Sequence, residues 1–88
     1  MIVDIILGPH SRKRMRERGA TEKEVIETVK KLDRYPAKNG VCYRRNFQEK
    51  IDWRGKVYDN KQLNVYAVKK NETVVVQTVI VKYSRRAQ

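Results

Sequence analysis

The sequence has very few of the residues that build disulfides or metal sites. It contains one cysteine, Cys42, and one histidine, His10, among 88 residues. A single cysteine excludes an internal disulfide bond, and one cysteine with one histidine is too small a ligand set for zinc. There is also no glycine-rich phosphate loop and no cluster of carboxylates along the chain. We therefore expect neither a metal nor an organic cofactor, and we interpret Cys42 as a small strand residue.

Long apolar runs are equally scarce. The opening segment MIVDIILG is too short to span a membrane and lacks the basic start of a signal peptide. No other segment approaches the roughly 20 apolar residues of a membrane-spanning helix. We therefore expect no membrane partner and a cytoplasmic location. The length predicts one domain, placed at residues 1–83, followed by a basic, flexible tail at residues 84–88.

Negative charge is the third shortage. Lys and Arg number 21 against 10 Asp and Glu, which gives a formal net charge of +11. A compact domain tolerates this self-repulsion more easily when its partner is a polyanion. Nucleic acid is the first expected partner and an acidic protein the second. An anionic membrane is disfavoured because no segment combines a basic face with a broad apolar one. Charge that serves solubility alone is the remaining alternative.

Two helices are predicted in the first part of the chain, after a short strand over residues 2–7. The first helix covers about residues 11–18, and Gly19 ends it. Residues 21–24 have the sequence TEKE of a capping box, which begins a second helix that reaches about residue 32. Four apolar residues of this helix fall within one arc of about 120°, the width of a core-facing stripe: Val25, Ile26, Val29 and Leu32.

Alternation of apolar and polar residues predicts strands in the second half of the chain. Over residues 41–53 the odd positions are mostly apolar and the even positions polar, and Arg54-Gly55 turns the chain. Further strands are predicted over residues 62–69 and 73–83, joined by a tight turn at Lys70-Asn71. The last strand is apolar at both its odd and its even positions, so both of its faces are expected to be covered, which favours a central place in the sheet. The order β-α-α-β-β-β predicts an α+β fold, with an antiparallel sheet that carries both helices on one face.

The basic first helix holds the first candidate site residues. On a helical wheel His10, Arg14 and Arg18 lie within about 80° of one another, while Met15 points to another side and anchors the helix. An imidazole can carry a proton near neutral pH, and the planar fork of arginine suits phosphate oxygens. The alternative interpretation is a solvated helix face, on which the arginines pair with acidic neighbours and His10 serves as a cap.

The motif H-x-x-x-R-M-x-x-R-G at residues 10–19, followed by a capped helix and basic strands, resembles an uncharacterised-domain family of the RelE/ParE toxin clan. The likeness covers about residues 10–83. It implies a small RelE/ParE-like β-α-α-β-β-β fold and a role as the toxin of a toxin–antitoxin pair, silenced by a cognate acidic antitoxin. Many of the clan's toxins cleave RNA without metal, often on the ribosome, whereas others inhibit DNA gyrase and cleave nothing.

Residues and resemblance together predict the site. His10 and Arg14 are expected to be catalytic, and the resemblance adds Tyr83, because late-strand tyrosines often work in the cleft of the clan's ribonucleases. The expected nucleic-acid-binding residues are all basic: Arg18, Arg44, Lys82 and Arg85. Arg44 occupies one of the polar, even-numbered positions of its strand and should therefore face away from the helices. Lys82 is included in the site because of the resemblance. The alternative for Tyr83 is an aromatic that closes the sheet rim. Three other aromatic residues are assigned to the core: Tyr43, Phe47 and Trp53.

The leading hypothesis is a toxin component that cleaves mRNA as a metal-independent endoribonuclease, with RNA, the ribosome and an acidic antitoxin as partners. A non-catalytic module that binds RNA or inhibits gyrase is the alternative, and an accessory domain whose charge only keeps it soluble is the third. With one histidine in the chain, a catalytic pair of histidines is excluded. Any second proton carrier then has to be Tyr, Lys or Glu.

Overall fold

Two helices and seven strands make up the computed structural model, which describes residues 4–31, 34–37 and 40–85. The elements are β1 (Asp4–Leu7), α1 (Pro9–Arg18), α2 (Glu22–Lys30), β2 (Arg34–Ala37), β3 (Gly40–Phe47), β4 (Ile51–Trp53), β5 (Lys56–Tyr58), β6 (Asn60–Lys70) and β7 (Thr73–Ser84). Five strands form one sheet in the order β1-β7-β6-β3-β2, and β4 and β5 form a separate hairpin. The expected α+β class with two helices is confirmed.

Strand β1 corrects the expectation of a wholly antiparallel sheet. It pairs parallel with β7, from Asp4 opposite Thr73 to Leu7 opposite Val76, whereas the other pairs in the sheet are antiparallel. The sheet is therefore mixed. A parallel neighbour requires a long crossover, which α1 and the rest of the chain supply. Strand β7 lies between β1 and β6. The central position predicted from its apolar residues at odd and even positions is therefore confirmed.

Strand β2 was not predicted, because the second helix was expected to reach about residue 32 and the next strand to begin at about residue 41. It pairs with β3, with Tyr35 opposite Cys42 and Pro36 opposite Val41, and it forms an edge of the sheet. Proline has no N–H to donate to a ladder, and an edge strand is where a sheet tolerates it. The sequence Asn39-Gly40 is typical of a turn, but Asn39 lies outside the described residues.

Helix α1 begins earlier than predicted and ends where predicted. Pro9 occupies its first turn, where the missing N–H costs nothing. Gly19 closes it in the left-handed conformation, with φ of 79°, and the Ala20 N–H donates to the Met15 carbonyl at 2.9 Å. Met15 is buried as expected, and a second anchor was missed: the Ser11 hydroxyl donates to the Val76 carbonyl of β7 at 2.7 Å.

Helix α2 begins at the predicted capping box. The Thr21 hydroxyl accepts from the Glu24 N–H at 3.1 Å, and the Glu24 carboxylate accepts from the Thr21 N–H at 2.9 Å. Val25 and Val29 are fully buried, as the apolar stripe predicts. The helix ends at Lys30, and Leu32 lies outside the described residues.

The two faces of the sheet differ in cover. Both helices pack on the face where Tyr43, Leu63, Val65 and Val79 are fully buried. Neither helix covers the opposite face, which we call the open face. Its residues occupy the alternate positions of the central strands: Cys42, Arg44 and Asn46 on β3, Asn60, Gln62, Asn64 and Tyr66 on β6, and Thr78, Ile80, Lys82 and Ser84 on β7. The prediction that Arg44 faces away from the helices is confirmed.

Two tight turns shape the hairpins. Arg54 and Gly55 both have positive φ, 50° and 80°, so the predicted turn joins β4 to β5. The turn between β6 and β7 is one residue later than predicted, at Asn71 and Glu72, because Lys70 pairs with Thr73. Its Asn71 has φ of 56°, a conformation that asparagine tolerates.

Cys42 and the expected core aromatics lie as follows. Cys42 is a buried, free strand residue, as expected, and Tyr43 is fully buried. Phe47 packs at the margin of the core, and Trp53 is half-buried. Among the described residues, neither helix is long and apolar enough to cross a membrane. Of the predicted tail, Ser84 ends β7 and Arg85 is described, whereas residues 86–88 lie outside the described part.

Candidate nucleic-acid interface

The structure divides the predicted site residues among four places. His10 and Arg14 lie on the outer surface of α1, and Arg18 and Tyr83 meet where α1 ends against β7. Arg44 and Lys82 lie on the open face, on the side of the sheet opposite the helices. Arg85 lies beside the β4–β5 hairpin, where its Nε donates to the Val57 carbonyl at 2.9 Å and its guanidinium lies 6.0 Å from the Tyr58 ring.

The His10 side chain is available to a ligand. It is exposed in the first turn of α1, and within the described residues it makes no hydrogen bond or ion pair. The cap position belongs to Gly8, so His10 does not cap the helix. Arg14, one turn later, has an exposed ion pair of 3.4 Å with Glu17. Exposed pairs of this kind contribute little, so an anionic ligand can compete for the Arg14 guanidinium.

Arg18 and Tyr83 join α1 to β7. The Arg18 Nη1 donates to the Val79 carbonyl at 2.5 Å, and the Tyr83 hydroxyl donates to the Arg18 carbonyl at 2.7 Å. Burial raises the pKa of the Tyr83 phenol above its ordinary value of 10.0, and the Glu24 carboxylate raises it further. The phenol therefore stays protonated and is a weaker acid than an ordinary tyrosine, and its hydrogen atom is already donated within the fold.

Tyr83 and His10 are not brought together. Tyr83 binds the last residue of α1, whereas His10 lies in the first turn, and the rise of 1.5 Å per residue separates these two points by roughly 12 Å along the helix axis. The expected catalytic trio of His10, Arg14 and Tyr83 therefore does not converge on one reacting atom. Only His10 and Arg14 remain neighbours, as their spacing of four residues predicts.

The C-terminus of α1 is held by residues that sequence reasoning missed. The Lys61 ammonium donates to the Gly19 carbonyl at 2.6 Å and to the Glu24 carboxylate at 2.8 Å, and Arg54 donates to the Glu17 carbonyl at 2.9 Å. Cations there satisfy helix carbonyls that lack partners and oppose the negative end of the helix dipole. The Trp53 ring stacks on Tyr83 with centroids 5.3 Å apart. No local spacing signals this cluster, because its members come from distant segments.

Charge is unevenly distributed over the sheet. The central strands β3, β6 and β7 contain no aspartate or glutamate. Two carboxylates of α2, on the helix side, pair with cations of the strands: Glu24 pairs with Lys61, and Glu27 pairs with Arg45 at 3.5 Å. The middle of the open face therefore presents the Arg44 and Lys82 cations with no carboxylate on the same strands.

Aromatic and amide groups surround these two cations. The Arg44 guanidinium lies 4.8 Å over the ring of Tyr35, which is 47% exposed on edge strand β2. Tyr66 lies on the same face, beside a shallow depression of about 240 Å³ whose wall includes Gln77 and Thr78. Gln77 is the extra residue of a β-bulge, because Tyr66 pairs with Thr78 and the next residue of β6 pairs with Val76.

Four amides form a hydrogen-bonded row across the open face. The Arg44 Nε donates to the Asn64 carbonyl oxygen at 2.7 Å, and the Asn64 amide donates to Gln62 at 3.2 Å. Gln62 donates to the Asn46 oxygen at 3.2 Å, and Asn60 donates to the same oxygen at 3.4 Å. We call Arg44, Asn46, Asn60, Gln62 and Asn64 the amide row. Arginine with asparagine and glutamine is a combination that reads base edges and phosphates in nucleic acids.

No group of three or more potential metal ligands occurs among the described residues. Comparison with known proteins adds no assignment: no family model, no curated protein and no solved structure matches the chain. The resemblance to the RelE/ParE clan therefore stays a prediction.

Proposed function

We propose that this protein binds single-stranded RNA through the open face of its sheet and acts as the toxin component of a toxin–antitoxin pair. The observation that supports RNA binding is the position of Arg44 and Lys82 on a sheet face whose three central strands carry no carboxylate. The toxin role is supported by the resemblance of residues 10–19 to the RelE/ParE clan.

The open face suits an unpaired strand of RNA. Cations neutralise its phosphates, and release of condensed counterions drives the association. Exposed aromatic rings such as that of Tyr35 give unstacked bases a surface on which to stack, at about 1–3 kcal/mol per base. Asn46 and Lys82 are exposed on this face and Arg44 is half-buried, so these three side chains can reach the edges of those bases.

RNA binding is tested by the anisotropy of a fluorescein-labelled RNA of mixed sequence, titrated at several salt concentrations. The variant Arg44→Gln/Lys82→Gln should bind more weakly, and its slope of log K against log salt should fall by about 1.4, since each single-strand phosphate contact contributes about 0.7. Arg16→Gln/Lys23→Gln removes the same two residue types from the helix side, where both are exposed. If both double variants lost the same RNA affinity, the positive charge would be shown to act without a defined binding site.

The toxin role is tested in cells. Induction of the intact protein alone should arrest growth, and the Arg44→Gln/Lys82→Gln variant at equal abundance should not. Full growth during high-level expression of intact wild-type protein contradicts the toxin role and leaves RNA binding standing. Gyrase inhibition, the other activity in the clan, predicts arrest together with DNA damage and no loss of arrest in this variant.

Metal-independent RNA cleavage is a second candidate, favoured by the exposed imidazole of His10 one turn from Arg14. The neutral imidazole would take the proton of a ribose 2′-hydroxyl, and the 2′-oxygen would attack the adjacent phosphorus. The bond from phosphorus to the 5′-oxygen then breaks, that oxygen takes a proton from water, and a 2′,3′-cyclic phosphate remains. Arg14 would stabilise the negative charge that gathers on the phosphate oxygens.

Cleavage is tested with end-labelled RNA in the presence of EDTA. His10→Ala should lower the cleavage rate by about 10²–10⁴-fold, the usual contribution of a general base, and leave RNA affinity unchanged. Lys23→Ala, on the neighbouring helix, should cleave at the wild-type rate. RNA that stays intact with wild-type protein while it binds tightly would favour the non-catalytic alternative.

A further inference from the structure

We infer that the amide row makes the open face selective for guanine, an inference that rests on the proposed binding of single-stranded RNA. The row leaves donors free on Arg44 and Asn46, and the oxygen of the same Asn46 amide already receives two hydrogen bonds. Guanine is the base whose major-groove edge carries two adjacent acceptors and no donor.

Arg44 sets the direction of the row. A guanidinium only donates, so the amide of Asn64 has to turn its oxygen towards the Arg44 Nε. The Asn64 nitrogen then faces Gln62 and donates to its oxygen, which leaves the Gln62 nitrogen to donate to Asn46. One cation at the end of the row therefore orients the three amides that follow it.

The acceptor beside the free Asn46 donor is fully used within the row. The Asn46 oxygen receives two hydrogen bonds, from Gln62 and from Asn60, and the Asn60 nitrogen also donates to the Ser84 hydroxyl at 3.3 Å. The oxygens of Asn64 and Gln62 each receive one hydrogen bond from their neighbour in the row. Both lone pairs of the Asn46 oxygen are thereby used, since an amide oxygen has two.

The donors left for a ligand lie on Arg44, Asn46 and Lys82. Within the described residues Arg44 uses only its Nε, on Asn64, so both of its Nη nitrogens are left to donate. Asn46 is exposed, and its amide nitrogen has no acceptor among the described residues. Lys82 is paired with Gln62 in the register, is exposed and has no ion pair among the described residues. Tyr35 lies under the Arg44 guanidinium and limits the directions that the fork can take.

This arrangement discriminates among the bases. The guanidinium fork matches the O6 and N7 acceptors of guanine in a bidentate pair. Adenine places an amino donor beside N7, and cytosine places an amino donor at the same edge, so each would bring a donor against a donor. Uracil offers a single acceptor, O4, on that edge, and therefore accepts one hydrogen bond where guanine accepts two.

The inference is tested by atomic substitution in the RNA. Ten-residue RNAs of adenosine and cytidine receive two central test nucleotides, and their affinities are measured by anisotropy. Guanosine should bind about tenfold more tightly than 7-deazaguanosine, which lacks the N7 acceptor, and inosine, which keeps O6 and N7, should match guanosine. Equal affinity for guanosine and 7-deazaguanosine, or for guanosine and adenosine, overturns the inference while RNA binding stands. Failure of all these RNAs to bind overturns the proposed function itself.

Two variants locate the selectivity in the row. Arg44→Lys keeps the charge but loses the fork, so the preference for guanosine over 7-deazaguanosine should fall to about twofold or less. Asn46→Asp replaces the outward amide donor by a carboxylate oxygen and should weaken guanosine binding. Asn71→Asp makes the same change at the exposed β6–β7 turn and is the matched control. If Arg44→Lys kept its preference for guanosine, or if both Asp variants lost the same guanosine affinity, the amide row would be excluded as the source of the selectivity.

Discussion

The Tyr83 hydroxyl donates a hydrogen bond of 2.7 Å to the backbone carbonyl of Arg18, and the Arg18 guanidinium reaches back to the Val79 carbonyl on the same strand as Tyr83. The two side chains thus close a loop of contacts between the end of α1 and the end of β7. Both residues carry groups suited to RNA chemistry, yet both use those groups within the fold. Because these groups are already used within the fold, the candidate nucleic-acid interface lies on the open face and not at this end of the helix.

Tyr83→Phe should lower the free energy of unfolding by about 1 kcal/mol, because it removes one hydrogen bond and leaves the ring stacked on Trp53. Urea denaturation followed by circular dichroism measures the change. RNA affinity of the variant should equal that of wild type. A variant with full stability and impaired RNA binding or cleavage would restore Tyr83 to the site.

The raised pKa of Tyr83 gives stability a pH dependence. Burial and the Glu24 carboxylate favour the neutral phenol in the folded state, so the folded pKa lies above the unfolded value of 10.0. The stabilisation is fully present below pH 10 and is lost as the pH rises through the folded pKa. The stability difference between wild type and Tyr83→Phe should therefore be constant from pH 7 to 9 and shrink above pH 10. A difference that grows above pH 10 would contradict the assigned direction.

Local signals account for what could be predicted from the sequence. The left-handed Gly19, the capping box at Thr21 and Glu24, and the apolar run of β7 each depend on residues within one turn or one strand. The alternation of polar and apolar residues along β3 likewise placed Arg44 on the face away from the helices. These features follow from dihedral preferences and periodicity, which a linear sequence records.

Long-range contacts account for what could not. The Arg18 and Tyr83 hydrogen bonds join residues more than 60 positions apart, and Lys61 reaches Glu24 across 37 positions. A charge pattern does not reveal whether a cation will meet solvent or a helix carbonyl, because that depends on which strand packs beneath the helix. The amide row was missed for the same reason, since its members lie on β3 and β6 and meet only through the sheet register.

Tyr43→Phe should leave stability unchanged or raise it by up to about 1 kcal/mol. The Tyr43 hydroxyl is buried and has no hydrogen-bond partner among the described residues, so its desolvation is not compensated. The substitution removes that oxygen and keeps the ring in the core. Tyr83→Phe is the internal comparison, because the same atom is lost there from a hydroxyl with a partner. Destabilisation of Tyr43→Phe by 1 kcal/mol or more, about the value expected for Tyr83→Phe, would reveal a bond to the Tyr43 hydroxyl.

Gly19→Ala and Gly55→Ala separate backbone strain from packing at the end of α1. Both glycines have nearly the same left-handed φ, 79° and 80°, so a Cβ costs each about 1–2 kcal/mol from the backbone alone. A Cβ on Gly55 meets nothing within 4 Å, whereas a Cβ on Gly19 would lie 2.5 Å from the Tyr83 hydroxyl and 2.6 Å from the Trp53 ring.

Gly19→Ala should therefore be the more destabilising of the two, by about 1–3 kcal/mol beyond Gly55→Ala, as expected for overpacking. Thermal and urea unfolding of both variants measure the difference. In the double variant Gly19→Ala/Tyr83→Phe the extra loss should shrink, because the nearest overlapping atom is gone. Equal losses for the two single variants would mean that β7 and the β4–β5 hairpin do not close on Gly19, and that Tyr83 is free to serve a ligand.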